Sequence, residues 1–364
     1  MTERADTPVA ETSVFHTSGL ELVSAAQLPE RLVSAFEAAT DRIVTQSMSA
    51  VYCEETALIF DSLQPKIGNI RLVRIVVDAY TQRFDDAHHG VNPFGTHVKN
   101  IKETLRRLDD LKRRGAEVVF SNPYGKYQVN SYSGRSHDKG YLADEWVAEG
   151  GAVDLKRTGF NNADFMICGE SPMRADMRER RTKIIRDHGR LSSAQDEIIE
   201  LDEHNTFILV TGMPGRSATY ERVEEELARS DVNGIRFWSQ FRPVGRIAAN
   251  LLMQQQKLGP ENVVVVANRP SQLVKPGWAK EELVRYRQRR SGLVVATLAD
   301  PDLYLHRKVV EINYESGETL VVIGTDNFHD QGVDFGTVDE AWFSTDPNIV
   351  KQVVADSDKL ELVF

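Results

Sequence analysis

The stretch Tyr304-Leu-His306-Arg-Lys308-Val-Val-Glu-Ile-Asn313, a turn at Tyr314–Glu318, and then Thr319-Leu-Val-Val-Ile-Gly324-Thr325-Asp326-Asn327-Phe328 decides how this chain is read. The two apolar runs on either side of Glu-Ser-Gly-Glu predict antiparallel strands joined in a hairpin. His306 and Lys308 are two residues apart, so on a strand their side chains leave from one face. Thr325 and Asn327, also two apart, close the returning strand. The hairpin would gather an imidazole, an ammonium and two hydrogen-bonding side chains at one end of a sheet. That set suits an anion, and a phosphate first of all.

The pattern occurs twice. His137-Asp-Lys139-Gly-Tyr-Leu-Ala-Asp144 keeps the His-x-Lys spacing and places an acid five residues after the lysine. Downstream, Arg157-Thr-Gly159-Phe-Asn161-Asn-Ala-Asp164 offers a counterpart to Gly324–Asn327. Paired His-x-Lys blocks, each followed by a Gly/Thr-x-Asn element, resemble the phospholipase D superfamily, whose motif is His-x-Lys-x4-Asp followed by Gly-Ser/Gly-x-Asn. The first copy matches His-x-Lys-x4-Asp in full. The second has Asn313 in the acid slot and Thr325 in place of serine. Elsewhere the likeness is one of order and spacing, with cardiolipin synthases and related phosphatidyltransferases as the subgroup in view.

The resemblance implies an α/β, duplicated fold: two mixed β-sheets flanked by helices, with the active site at their pseudo-twofold interface. It implies a phosphohistidine intermediate with His137 as nucleophile and His306 as acid. Lys139 and Lys308 complete the catalytic set, joined by the acid-slot residues Asp144 and Asn313. Asn161, Thr325 and Asn327 would bind phosphate oxygens. Family members carry an acid that orients the motif histidine. Glu340, thirteen residues past Asn327, fits that slot in the second half, and Asp164 or Glu170 in the first.

Other candidates read as ordinary surface. His97-Val-Lys99 has the spacing, but it opens a helix and lacks both the acid and the Asn element. Gly212-Met-Pro-Gly-Arg-Ser-Ala-Thr219 lacks the Gly-Lys-Ser/Thr ending of a phosphate loop and reads as a strand-to-helix turn capped by Ser217 or Thr219. His88-His89, after Asp85-Asp86, reads as a polar loop, and Arg287–Arg290 as cations at a helix end. No Cys/His spacing suits zinc, so neither metal nor cofactor is expected.

With 364 residues, 41% of them hydrophobic and 27% charged, the chain can bury a sizeable core. Its formal net charge of −10 counts against non-specific binding to a phosphate backbone. Cys53 and Cys168, both placed on predicted strands, cannot make a disulfide framework and suggest a reducing compartment. Met1–Thr12 is polar and acidic, with no signal-peptide pattern, and no apolar run is long enough to span a bilayer. The expected location is the cytoplasm, with peripheral membrane contact if the substrate is a lipid.

The periodicity predicts a disordered 1–12, a first half over 13–170, a helical connector over 171–205 and a second half over 206–364. Predicted helices include 29–48, 97–113, 219–229, 244–258 and 347–356. Predicted strands include 50–60, 70–80, 116–120, 206–211, 234–239, 263–267 and 306–313. Three substrate classes stay open: a phospholipid, cleaved or transferred; a nucleic acid or nucleotide ester; and a phosphate ligand held without catalysis. Aromatics near the motifs (Tyr124, Tyr127, Tyr132, Trp146, Tyr304, Phe328, Phe335) could line an acyl pocket or simply pack. Oligomeric state is not readable.

Overall fold

The computed structural model describes residues 19–364 apart from 80, 82–95, 123–135, 152, 161, 192–195, 213, 270–281, 284, 287–288, 291, 327, 329–333 and 335. The expectation for residues 1–12, the loop tyrosines 124, 127 and 132, Phe335, the pair His88-His89 and the two motif asparagines Asn161 and Asn327 therefore lie outside the described residues.

The first sheet is built from β1 (Glu21–Ser24), β2 (Arg42–Ser47), β3 (Leu72–Asp78), β4 (Glu117–Ser121), β5 (Gly140–Ala143), β6 (Trp146–Glu149) and β7 (Phe165–Glu170). Their order is β1-β7-β6-β5-β2-β3-β4. The second contains β8 (Glu197–Glu200), β9 (Asn205–Thr211), β10 (Val232–Ser239), β11 (Val263–Ala267), β13 (Val309–Tyr314), β14 (Thr319–Gly324) and β15 (Val338–Ser344). Read from one edge, its order is β8-β9-β15-β14-β13-β10-β11. A small ladder, β12 (Thr297–Leu298) with β16 (Leu362–Val363), lies apart.

Six strands of each sheet correspond one for one: β1-β7-β6-β5-β2-β3 against β9-β15-β14-β13-β10-β11. Among the described strands the pairs β2/β3, β3/β4 and β10/β11 are parallel and the other ladders antiparallel, so both sheets are mixed. The connections repeat as well. Helices Leu28–Ala38 and Glu54–Leu63 flank β2 as Ala218–Ala228 and Gly245–Leu258 flank β10. Helix Pro172–His188 follows β7 as Pro347–Ser357 follows β15. The architecture is thus a duplicated α/β fold.

Several elements differ from the periodicity reading. The expected helix 29–48 ends at Ala38, and the β-branched run Ile43-Val44-Thr45 forms buried β2 instead. The expected strand 50–60 is the helix Glu54–Leu63. Its buried residues Thr56, Ile59, Phe60 and Leu63 follow the helical period, and Cys53 is its N-cap rather than a strand residue. The hairpin strand begins at Val309, so His306 and Lys308 precede it in extended chain. Within the expected connector, Pro172–His188 is one helix, capped by the Ser171 side chain and stopped by Gly189 at φ 74°. β8 lies in that same segment but pairs with β9 as an edge strand of the second sheet.

The described residues form five apolar clusters, of which three are large. One lies within each half, around Phe36, Phe60 and Tyr141 and around Phe237, Tyr314 and Phe343. The third joins the halves, bringing Phe165, Ile167 and Met177 of the first against Phe207, Trp238 and Trp342 of the second. Trp342 and Trp238 are fully buried there.

Candidate active site

Each His-x-Lys block enters its hairpin by way of the other half. Ser136 makes a parallel bridge to Val338 of β15, and the N–H of His137 donates to the Val338 carbonyl at 2.8 Å. Tyr304 makes the matching bridge to Asn162, where the N–H of Ala163 donates to the Tyr304 carbonyl at 3.3 Å. The two motifs therefore meet across the seam between the sheets. Both lysines are buried, and each folds back on its own motif: Lys139 Nζ donates to the His137 carbonyl at 2.6 Å and Lys308 Nζ to the His306 carbonyl at 2.7 Å. The histidine side chains keep 16% and 18% of their surface open, enough to reach a ligand.

The carboxylates are exchanged between the halves. His137 Nδ1 faces Asp339 Oδ1 at 3.5 Å, and His306 Nδ1 faces Asp164 Oδ2 at 3.7 Å. These distances orient the rings across the seam without a closed hydrogen bond, a looseness common before a substrate is bound. An Nδ1–H turned toward a carboxylate leaves Nε2 as the outward, reactive nitrogen. Asp339 is itself fixed, taking the Thr325 hydroxyl at 2.9 Å and the Thr337 hydroxyl at 2.7 Å. Asp164 takes the N–H of Phe165 at 2.8 Å.

The two half-sites share one electrostatic field. Burial, then the like charge of Lys139, brings Lys308 down to about 7. Burial, then Lys308, brings His306 down to about 4, with Asp164 opposing. Burial disfavours the charge on Asp164, but contact with His306 and the charge of Lys308 hold it below the usual carboxylate range. Asp339 is held low in the same way, by His137 and the threonines against its burial. Buried Asp326 goes the other way, to about 8, through desolvation and the nearby charge of Asp339.

Not every residue picked from the sequence lies here. Asp144 sits past the far end of β5, in the β5–β6 turn, at φ 54°. Its carboxylate accepts the N–H groups of Thr40, Asp41 and Arg42 at 2.8, 2.8 and 2.9 Å, which is a structural task. Asn313 is likewise at the turn end of β13, exposed, taking the Thr319 hydroxyl at 2.8 Å. The missing charge in the second motif is thus remote from the histidines. Glu340 does not orient a histidine. Alternation along β15 turns it away from the face that Asp339 shares with His137, and it meets Arg178 and the N–H of Gly150 instead. Asp164 does face a histidine, but the one in the opposite half. Glu170 is exposed, opposite Trp146 at the far end of the sheet. The Thr325 hydroxyl is spent on Asp339 and on the N–H of Glu340, so it positions a carboxylate rather than a ligand.

Two residues, Asp339 and Asp154, were missed. Gly324 N–H donates to the Lys308 carbonyl at 3.1 Å, and the register of the first hairpin sets Gly150 in the same relation to Lys139. The segment that corresponds to the one opened by Gly324 is therefore the one opened by Gly150, not Gly159–Asn161, and Asp154 follows in it. Asp154 is buried, takes the Ser47 hydroxyl at 2.9 Å and the Ser49 N–H at 3.1 Å, and lies 3.9 Å from Lys156 Nζ. Burial disfavours its charge, but Lys139, Lys156 and His306 hold it below the usual range. Among the described residues no group of three or more His, Cys, Asp or Glu side chains is disposed to hold a metal ion.

No protein-family model matches the chain, and no curated protein does. Solved structures do. The phosphatidylserine synthase of Haemophilus influenzae Rd KW20 is similar over 96% of this chain and 89% of its own, at 13% identity and a TM-score of 0.66. The polyphosphate kinase of Porphyromonas gingivalis is similar over 92% of this chain and 46% of its own, at 12% identity and a TM-score of 0.54. Likeness at these identities defines the fold. The duplicated sheets and the seam that carries two His-x-Lys blocks give the chain the phospholipase D superfamily fold. No described helix is long and apolar enough to cross a membrane.

Proposed function

We propose that this protein is a phosphodiester hydrolase or phosphatidyltransferase that works through a phosphohistidine and needs no metal, with a phospholipid as substrate. The observation that carries the reading is the exchanged pairing His137–Asp339 and His306–Asp164, with a buried lysine beside each histidine. Nε2 of one histidine attacks phosphorus while Nε2–H of the other protonates the departing oxygen. Lys139 and Lys308, with Asn327 by resemblance to the family motif, hold the non-bridging oxygens as charge develops. A bound anion offsets the two ammonium charges that depress His306 and so lets it take up the proton it must give. Neutral His306 then accepts a proton from water or an alcohol, which attacks the phosphohistidine and frees His137. That order of roles follows the resemblance. The lipid substrate is supported by the near full-length likeness to a phosphatidylserine synthase and by the net charge of −10. A nuclease or nucleotidyl phosphodiesterase is the alternative, and the acidic balance weighs against it.

The test is turnover of a phosphatidyl lipid, with and without an alcohol acceptor, against single-stranded DNA, all in EDTA, with mass spectrometry of acid-free quenched protein. A phosphoryl adduct on His137 and lipid turnover are expected, both absent in His137→Ala. An adduct on His306 would reverse the roles. Loss of all turnover in EDTA, restored by a divalent ion, would overturn the chemistry. DNA cleavage alone would establish the nuclease.

A further inference from the structure

We propose that Arg178 and Arg307 are positioning residues that clasp the two halves at the offset where each histidine meets the other half's carboxylate. Both act at the residue between His and Lys in a motif. In the first motif that residue is Asp138, fully buried, and Arg178 of the connector helix donates to it at 2.8 Å. The same guanidinium crosses the seam to Glu340 Oε2 at 2.5 Å, one residue from Asp339, and also holds Glu149 at 2.9 Å. Arg181 adds a second contact to Asp138 at 3.1 Å.

In the second motif the intervening residue is Arg307 itself, also buried, and the charges are inverted. It pairs with Asp356 of the C-terminal helix and donates to the Ser357 hydroxyl at 3.2 Å. Its Nε crosses the seam to the Ala163 carbonyl at 3.0 Å, one residue from Asp164. Each half thus has one guanidinium, anchored by a helix, that grips the neighbour of the carboxylate facing a histidine.

Gly140 supports the reading independently. A β-carbon there would lie 2.1 Å from Arg178 Cζ, so the strand lacks a side chain where the guanidinium passes. This accounts for a glycine in the first motif, directly after Lys139. Burying so many charges is costly, and hydrophobic packing could hold a seam as firmly. What guanidinium forks add is a fixed offset, because they bind several acceptors at once in set directions.

The consequence for turnover rests on the proposed phosphohistidine chemistry, but the clasp can be read without it, by nitrogen NMR of 15N-histidine-labelled full-length protein. In the unmutated protein both motif histidines are expected to carry their proton on Nδ1. Arg178→Lys should erase that preference at His137 and leave His306 unchanged. Arg307→Lys and the milder Asp356→Asn should do the converse. Where Arg178→Lys does not fold, Gly140→Ala displaces the same guanidinium and should act at His137 alone. With an active substrate, kcat should fall on the order of 100-fold with little change in KM, the cost of misplaced reacting groups. Folded variants whose two histidine signals are unchanged, or change together, would overturn the clasp, whether or not any substrate is found. Selective NMR shifts without turnover in any protein would keep the clasp and remove the phosphodiester reading.

Discussion

Lys308 is where burial and anion binding pull in opposite directions. At about 7 its titration lies well below the ordinary 10.5, so above neutral pH the free protein loses one of the charges that would receive a phosphate. On the proposed chemistry, kcat/KM, which reports the free protein, should fall as pH rises through about 7. Lys308→Arg, charged throughout, should flatten that limb even if its absolute rate is lower. A limb that survives unchanged in the arginine variant would assign it elsewhere. Between about 7 and 10.5 the unfolded chain holds a proton that the folded one lacks, so Lys308 makes stability rise with pH in that window. Asp326 does the reverse. Raised from 3.8 to about 8, it binds a proton in the folded state that the unfolded chain has lost, and its contribution disappears as pH rises through about 8. Asp326→Asn should therefore raise the melting temperature more at pH 9 than at pH 5. Equal shifts at both values would rule out titration of this carboxyl as the cause.

The two hairpins show what a motif does and does not say about an element. His-x-Lys marked the entrance to each strand pair, and the turn Glu-Ser-Gly-Glu marked the far end, because both depend on local chemistry. The acid slot misled because spacing does not tell which end of a four-residue strand a side chain serves. Asp144 is the result: it holds three backbone N–H groups at the wrong end of β5 for catalysis. Asp144→Ala should cost about 1 kcal/mol by denaturant titration, from the loss of three hydrogen bonds whose donors are mostly open to water, while the folded fraction keeps its turnover. A loss of turnover without a loss of stability would return Asp144 to the site. Glu340, the acid picked to orient a histidine, stands one residue from Asp339, which faces His137, and on a strand one residue exchanges one face for the other. Cys53 and the segment around it failed for another reason: a short apolar run with two glutamates before it fits either period, and the packed core decided for the helix.

Duplication was legible in the sequence, but the exchange of carboxylates was not. Nothing in the order of residues says that Asp164 belongs to His306 and Asp339 to His137, since that is set by how two sheets dock. The docking surface is the shared core around Trp342, whose ring lies 5.6 Å from Phe207 and carries the Arg174 guanidinium at 4.4 Å. Trp342→Ala should cost about 3–5 kcal/mol, and the histidine contacts should be lost with it. Retained turnover at full stability would show that the seam is held elsewhere.

The exchanged pairs also set an order in time. Neither motif histidine has its facing acid in its own half, and the last piece of the first pair, on β15, is made after the whole first half. A nascent chain can build its first sheet and remain chemically silent until the final hairpin and strand arrive and the sheets dock. On refolding from denaturant, recovery of helix and strand signal should therefore run ahead of recovery of reactivity at His137, with the lag measuring how slowly two finished halves find each other.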